Sequence, residues 1–273
     1  MDCLRQVPAS DLYDAFLKIR PSIPIMPCQD QSSEFIPYQT MDIIHSKKFA
    51  DIPTIIHNVK DEGTFIIPTY MKSFLNYTEK ELLNWENSVL GFGKYDYVNK
   101  FLIRKVYDPY DKNEFKEPWL QLAKISGDIL FRCTAFDMGF SIKESFKSVY
   151  THINSNPQWT VDFLGPNMPE ELGAYHASEV PFYFRDVKYV DDWKVSDTLV
   201  DAFVDFAANS KPHLNWDIFQ SKRQLFNYVD RAMENDYNFK DRMRCDFLKA
   251  LIVEHGISAF IKEFLEPLLH INQ

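Results

Sequence analysis

Glycine is scarce in this sequence, since only 8 of the 273 residues are glycine, or about 3% where proteins average near 7%. A phosphate-binding loop needs several glycines at fixed spacings, and neither the Walker A pattern nor G-x-G-x-x-G occurs. The sequence therefore argues against a nucleotide-binding loop of either kind, and we expect no cofactor.

A surplus of positive charge is also missing. The chain has 30 Lys and Arg against 39 Asp and Glu, a net charge of −9, whereas proteins that bind a phosphate backbone usually carry a basic surplus or patch. No run approaches the roughly 20 apolar residues that a membrane span needs, and the first residues lack the basic and then apolar pattern of a signal peptide. We expect no nucleic-acid partner, no membrane span and no signal peptide in this chain.

What the sequence does have is an ordinary globular composition, with 45% hydrophobic and 25% charged residues, which excludes wholesale disorder. No internal repeat, low-complexity tract or linker divides it, so residues 1–273 are predicted to form a single domain.

Strand patterns occur at residues 52–59, 148–153 and 225–229. The first is β-branched and apolar on both faces, which is typical of a buried parallel strand. Helical patterns lie between these strands, so the sequence predicts an α/β fold with a mostly parallel sheet. Three strands are few for such a sheet, and we therefore expect the chain to be part of a larger fold.

Helices are predicted from Pro8, from Pro118 and from Ser196, the last as an N-cap residue. A long amphipathic segment follows near the C-terminus, and Gly256 is expected to break or kink it.

Glu62 follows directly after the first predicted strand. Open α/β sheets place ligand crevices beyond the carboxyl ends of their strands, and a carboxylate there can orient a histidine as the acid of a catalytic triad does. The alternative is that Asp-Glu-Gly merely ends the strand and begins a turn.

His176 lies on a predicted loop between a proline-rich stretch and an aromatic run, where a histidine could act as a general base. His176 and Glu179 also have the i, i+3 spacing of two metal ligands, but no third ligand follows at a recognisable spacing. The other six histidines form no recognisable constellation. A general base is thus the favoured interpretation of His176, and we expect no metal.

A nucleophile to complete a triad is absent, because the sequence contains no G-x-S-x-G elbow. Ser141 and Ser178 lack flanking glycines. The four cysteines, Cys3, Cys28, Cys133 and Cys245, form no C-x-x-C motif, which leaves free thiols and disulfides both open. Asn76 begins a glycosylation sequon, which matters only in the secretory pathway.

Taken together, these segments resemble the C-terminal half of the type-B carboxylesterase and cholinesterase family of α/β-hydrolases. The acid motif is similar to Lys-Asp-Glu-Gly-Thr-Phe at residues 60–65, and the histidine motif is similar to residues 173–184. Weaker similarities lie at residues 3–5, 35–37, 49–56 and 204–217, where Ser210 and Asp217 replace the usual Gly and Pro. The order of acid before histidine is that of α/β-hydrolases.

The resemblance implies a fold that is mostly helical with a few parallel core strands. It also implies that Glu62 is the triad acid and His176 the triad base, with the serine elbow and the oxyanion hole in a half that this chain lacks. The resemblance also implies a disulfide between Cys133 and Cys245 and a partner for Cys3 upstream of Met1. It assigns no role to Cys28. In cholinesterase-like proteins a comparable C-terminal helix can join subunits, so the resemblance implies a homodimer through this helix. A secreted or endoplasmic-reticulum parent would suit both the disulfide and the sequon.

Two functions follow from the resemblance. The first is hydrolysis of small-molecule carboxylic esters by a full-length enzyme, with this chain inactive alone. The second is a non-catalytic, cholinesterase-like adhesion or interaction protein, and a degenerate remnant is a third alternative. The presence of both Glu62 and His176 favours the esterase, because a scaffold needs neither.

Overall fold

The computed structural model describes residues 2–19, 40–70, 106–108, 115–142, 145–152, 162, 164–165, 170–211, 223–227, 232–236 and 239–255. Within them lie nine α-helices: α1 (Asp2–Arg5), α2 (Ala9–Ile19), α3 (Thr40–His45), α4 (Gly63–Tyr70), α5 (Pro118–Gly127), α6 (Cys133–Ser141), α7 (Val180–Tyr183), α8 (Val190–Asn209) and α9 (Phe239–His255). A π-helical turn at Asp128–Arg132 joins α5 to α6, and a 3-10 turn spans Glu170–Leu172.

The described strands form one four-stranded sheet in the order β1 (Thr54–Val59), β2 (Ser145–His152), β3 (Arg223–Asn227) and β4 (Ala232–Asp236). The first two pairings are parallel, with Ile56 opposite Lys147 in β1 and β2 and Val149 opposite Leu225 in β2 and β3. The pairing of β3 with β4 is antiparallel. The prediction of a mostly parallel sheet is therefore confirmed.

All three predicted strands are present with shifted ends. The sequence reading missed β4, whose segment, Ala-Met-Glu-Asn-Asp, has two acidic residues and an asparagine. These residue types are depleted in strands, so pairing with β3, rather than local propensity, makes this segment extended.

The helices predicted from Pro8 and Pro118 are confirmed as α2 and α5, and the C-terminal helix is confirmed as α9 as far as residue 255. The assignment of Ser196 as an N-cap is wrong, because α8 already begins at Val190. Ser196 is buried inside that helix, and its hydroxyl donates a hydrogen bond to the carbonyl of Phe182 at 2.5 Å. Ser196, which the sequence pattern suggests as an N-cap, thus connects α8 to α7 by a hydrogen bond.

The apolar core nearest the end of β1 joins that strand to α7 and α8. Val59 and Ala174 are fully buried there, together with Phe182, Val187, Val195 and Leu199. Burying a valine, leucine or phenylalanine side chain contributes roughly 1.5–3 kcal/mol. This core fixes the end of β1 against the segment that precedes α7.

Several predicted features lie outside the described residues: Cys28, Asn76 with its sequon, and Gly256. In the described part of the chain, no helix combines the length and apolarity needed to cross a membrane.

Candidate active site

The backbone of the last residue of β1 holds the side chain of Glu62. The amide N–H of Val59 donates to Oε1 of Glu62 at 2.9 Å, and the Glu62 side chain is only 6% exposed. Because α4 begins at the next residue, the carboxylate is held between the end of a strand and the start of a helix. The Val59 amide thus occupies Oε1, and Oε2 can accept a hydrogen bond from another donor.

Gly63 permits this tight turn. A Cβ at this position would overlap the carbonyl oxygen of Ala123 in α5 and crowd the backbone of Gly127. Only glycine lets α4 approach α5 this closely. Close packing of these two helices therefore explains the glycine that follows Glu62 in the acid motif.

Asp61 joins the turn after β1 to the segment that carries His176. Its amide N–H donates to the carbonyl of Ala174 at 2.9 Å, and its Oδ2 accepts the amide of Ala174 at 3.0 Å. Burial raises the pKa of Asp61, and the Ala174 hydrogen bond and nearby Lys60 oppose that shift. The sequence reading gave no role to Asp61, which aligns the two loops.

Gly173 is required at the same junction. It has φ +59°, and a Cβ there would overlap the Asp61 carboxylate. A glycine in a chain with so few, three residues before a histidine, is the signal that could have identified this junction from sequence.

His176 lies in a tight turn closed by a 3.0 Å hydrogen bond from the amide of Ser178 to the carbonyl of Tyr175. Ala177 completes the turn with φ +66°, a left-handed conformation that costs a non-glycine residue about 1–2 kcal/mol. Such strain is commonly found at functional sites. The turn presents the imidazole toward Glu62.

Glu62 and His176 meet across 114 residues of sequence. Nδ1 of His176 lies 2.7 Å from Oε2 of Glu62 and donates to it. The hydrogen bond to Glu62 raises the pKa of His176; partial burial opposes the rise, and the charges of Glu62 and Glu179 add to it. The His176 side chain remains 41% exposed. The carboxylate thus fixes the ring through Nδ1 and leaves Nε2 pointing away from it.

Phe131, in the π-helical turn, packs against this histidine with ring centroids 4.6 Å apart. The next residue, Arg132, donates a hydrogen bond to the carbonyl of Lys60 in the turn after β1. This short segment therefore contacts both His176 and the turn that carries Glu62.

Arg132 belongs to a group that we call the buried ionic cluster, formed by Lys124, Asp128, Arg132 and Asp241. Arg132 contacts Asp128 at 2.9 Å and Asp241 at 2.6 Å, and Lys124 contacts the same two carboxylates at 2.7 and 2.8 Å. Burial lowers the pKa of Lys124 despite both partners. The hydroxyl of Tyr107 donates a further hydrogen bond to Asp128 at 2.9 Å.

A disulfide joins Cys133, the residue after Arg132, to Cys245 in α9, with their Cα atoms 5.0 Å apart. This is the pair that the resemblance implies. Because Asp241 lies one helical turn before Cys245, the disulfide attaches α6 to the same part of α9 that the buried ionic cluster attaches to α5 and the π-helical turn.

A cleft of about 490 Å³ opens beside the turn after β1, lined by Glu62, Lys124, Arg132 and Asp241 among others. His176 does not line it, so this cleft lies on the side of the buried ionic cluster and not at the exposed face of the histidine.

The two serines considered as nucleophiles are placed elsewhere. Ser178 is buried and its hydroxyl donates to the Tyr175 carbonyl at 2.5 Å, while the Ser141 hydroxyl donates to the Asp137 carbonyl at 3.0 Å. Neither hydroxyl is bonded to His176. No group of three potential metal ligands occurs in the part of the chain that the structure describes.

Several solved esterase structures share this fold. The chain is similar to a PNB esterase (18% identity, TM-score 0.57, 89% of this chain and 49% of that one) and to Aspergillus niger EstA (15%, 0.60, 83% and 45%). A thermophilic PNB esterase matches at 18% identity with a TM-score of 0.58, over 89% and 50% of the two chains. The chain thus spans about half the length of the structures it matches, and its fold is the C-terminal half of an α/β-hydrolase.

The family model described as the carboxylesterase family matches residues 1–248. The chain therefore belongs to the carboxylesterase family, and the resemblance found in its motifs is confirmed.

Proposed function

We propose that this chain supplies the acid and the base of a serine-type carboxylic ester hydrolase. The observation that carries this proposal is the 2.7 Å hydrogen bond from Nδ1 of His176 to Oε2 of Glu62. Membership of the carboxylesterase family supports the reaction class.

The chemistry follows from the geometry. With Nδ1 bonded to the carboxylate, the neutral imidazole has its lone pair on Nε2, which can take the proton of a serine hydroxyl as that oxygen attacks an ester carbonyl. His176 then carries a positive charge, which Glu62 stabilises. The proton passes next to the departing alcohol, and a water molecule activated in the same way releases the acid.

The serine would come from a part of the fold outside this chain. Without it and without oxyanion donors, the chain alone is expected to hydrolyse no ester, since each of these groups supplies several powers of ten in rate.

The test is an ester hydrolysis assay with p-nitrophenyl acetate. We expect no turnover by the chain alone, and turnover when it is expressed together with an upstream half that carries a G-x-S-x-G serine. His176→Ala should then lower the rate at least about 10³-fold. Hydrolysis by the chain alone that disappears in His176→Ala would contradict the division of the triad.

The second candidate function is a non-catalytic, cholinesterase-like interaction protein. The bonded Glu62–His176 pair favours the enzyme, because adhesion gives no reason to align an imidazole with a carboxylate. An upstream elbow that lacks its serine would reverse this preference.

We further propose a secreted or endoplasmic-reticulum parent, because disulfides persist in oxidising compartments. The Cys133–Cys245 bond supports this proposal, and glycan detection at Asn76 in cells tests it. The homodimer through the C-terminal helix stays a prediction, which light scattering of the full-length protein can test.

A further inference from the structure

The proposed reaction gives no role to one close neighbour of His176, the aromatic ring of Phe131. The two ring centroids lie 4.6 Å apart and the ring planes are tilted by 33°. Stacked aromatic rings lie with their centroids about 4.5–7 Å apart, so this contact is a close one. Phe131 is only partly buried and the His176 side chain is 41% exposed. The contact therefore belongs to the surface of the acid–base pair and not to the apolar core.

The π-helical turn directs Phe131 and Arg132 to different neighbours. The amide N–H of Cys133 donates to the carbonyl of Asp128, five residues back, where an α-helix would bond the fourth residue back. Such single π turns are frequent at functional sites. Arg132 contacts Asp128 in the buried ionic cluster, whereas Phe131 contacts His176. The same turn thus faces the support on one side and the imidazole on the other.

The backbone that carries Phe131 is fixed by the residues that follow it. The Arg132 guanidinium contacts two carboxylates of the buried ionic cluster, at 2.9 and 2.6 Å, and donates to the Lys60 carbonyl. Cys133 is bonded to α9 by the disulfide. A group that is already in place when charge develops needs no reorganisation to stabilise it. Phe131 meets this condition for a charge on His176.

The face of an aromatic ring is negative and attracts a cation within about 6 Å of its centroid. In the proposed reaction His176 becomes such a cation when it takes the serine proton. The charged groups that act on this imidazole are Glu62, in the turn after β1, and Glu179, three residues further along the chain. Phe131 adds a contact from the π-helical turn, and this contact carries no titrating group of its own.

We propose that Phe131 is a positioning residue for His176, whose aromatic face holds the imidazole against Glu62 and stabilises its protonated form. A side chain that merely filled the space would restrict the imidazole without favouring either charge state. The aromatic face favours the protonated state. This inference deepens the proposed function, on which its catalytic meaning rests.

The experiment is an NMR titration of the chain labelled with ¹⁵N at histidine, from pH 4 to pH 9, in the wild type, Phe131→Leu and Phe131→Tyr. Leucine keeps an apolar side chain but has no aromatic face, and tyrosine keeps the face. We expect the His176 midpoint to fall by about half a pH unit in Phe131→Leu, because the cation loses its aromatic contact. It should stay near the wild-type value in Phe131→Tyr. An unchanged midpoint in Phe131→Leu, or an equal fall in both variants, would overturn the proposal.

Phe140→Leu is the matched control, with the same substitution at another partly exposed ring. Phe140 lies in α6, where its ring stacks on Phe136 and the Arg242 guanidinium lies 4.6 Å from its centroid. We expect this substitution to leave the His176 midpoint in place. A fall equal to that in Phe131→Leu would show a general loosening of the helix and would overturn the assignment to Phe131.

A second measurement needs no variant. In the wild-type chain, the carbon-bound ring protons of His176 should show nuclear Overhauser contacts to the ring protons of Phe131, because the two rings stack. Absence of these contacts would overturn the proposal, since the rings would not meet in solution.

These measurements are read without serine or ester, so failure of the hydrolysis assay leaves the contact measurable. In the co-expressed enzyme, Phe131→Leu should also move the acidic limb of the kcat/KM profile to lower pH, because a weaker base loses its proton at lower pH. A limb that stays in place while the NMR midpoint falls would overturn the catalytic meaning of the contact. An unchanged NMR midpoint in an active enzyme would overturn the role of Phe131 and leave the esterase proposal intact.

Discussion

Two regions of this molecule pair carboxylates with basic side chains, and they differ in almost every other respect. The acid–base pair of Glu62 and His176 joins a buried acid to a base that is 41% exposed. The buried ionic cluster encloses Lys124, Asp128, Arg132 and Asp241, and the most exposed of these side chains, Lys124, reaches only 19%.

The difference in exposure suggests a different role for each region: proton transfer at the acid–base pair and structural support at the buried ionic cluster. His176 is an imidazole whose pKa is raised by its hydrogen bond to Glu62 and whose second nitrogen is directed away from that carboxylate, so it is able to take up and release a proton. In the buried ionic cluster each cation contacts two carboxylates, and a guanidinium does not deprotonate in proteins. Contacts of similar length thus suit the proposed proton transfer in one region and structural support in the other.

The regions are also connected. Arg132 of the buried ionic cluster bonds the Lys60 carbonyl, and its neighbour Phe131 packs on His176. The segment that carries the buried ionic cluster therefore contacts both loops of the acid–base pair. Substitutions in the two regions can distinguish loss of activity from loss of stability.

The largest expected effect is on the rate of the assembled enzyme. Glu62→Gln should lower kcat by about 10⁴-fold, because an amide cannot hold the imidazole in the required tautomer or stabilise its cation. The melting temperature should change little. Glu171→Gln is the control and should keep the wild-type rate. A Glu62→Gln enzyme that retained a tenth of the activity would exclude Glu62 as the triad acid.

The next effect is on stability and belongs to the buried ionic cluster. Asp241→Asn leaves Arg132 and Lys124 each short of one buried partner, and breaking such a pair costs about 3–5 kcal/mol. Urea unfolding measures the change. The control is Asp197→Asn in the exposed pair with Arg185, 2.8 Å apart and about half exposed on both sides, where about 0–1 kcal/mol is expected. Equal losses at the two sites would remove the distinction drawn between buried and exposed pairs.

A smaller effect concerns the pH dependence of stability. The pKa of His57 is about 3 in the folded chain against an ordinary 6.5, so below about pH 6.5 the unfolded chain binds a proton that the folded chain does not. Stability from this group is present above pH 6.5 and falls as the pH drops, by up to about 1.4 kcal/mol per pH unit. His57→Asn should flatten the fall between pH 6.5 and 5. A variant that follows the wild-type slope would contradict the low pKa of His57.

The smallest effect is expected at the end of α8. Ser210 ends this helix with φ +59°, at a position where the carboxylesterase pattern has glycine. Because a left-handed residue other than glycine costs about 1–2 kcal/mol, Ser210→Gly should stabilise the chain by about 1 kcal/mol. Ser141→Gly, within α6, should instead destabilise it. A destabilising Ser210→Gly would mean that the serine side chain has an unrecognised contact.

Much of this architecture could be predicted from sequence because its signals are local. The β-branched run that forms β1, the proline at the start of α5 and the Lys-Asp-Glu-Gly-Thr-Phe motif each lie within one short window. The limits of such reasoning appear at Ser196, where a cap-like residue lies inside a helix, and at β4, where a polar segment is extended by its neighbour. The position of Ser196 depends on its hydrogen bond to Phe182 in another helix, and the extended form of β4 depends on its pairing with β3. Neither partner is visible in the local sequence pattern.

The sequence by itself determined which residue types stand after β1 and before α7, and therefore that an acid and a histidine of the right kinds were available. Only the tertiary structure brought Glu62 to 2.7 Å from His176, placed Arg132 between two carboxylates and brought Glu179 to 3.8 Å from His57. The physical reason is that backbone propensity acts over a few residues, whereas burial and hydrogen bonding act on whatever the fold brings into contact.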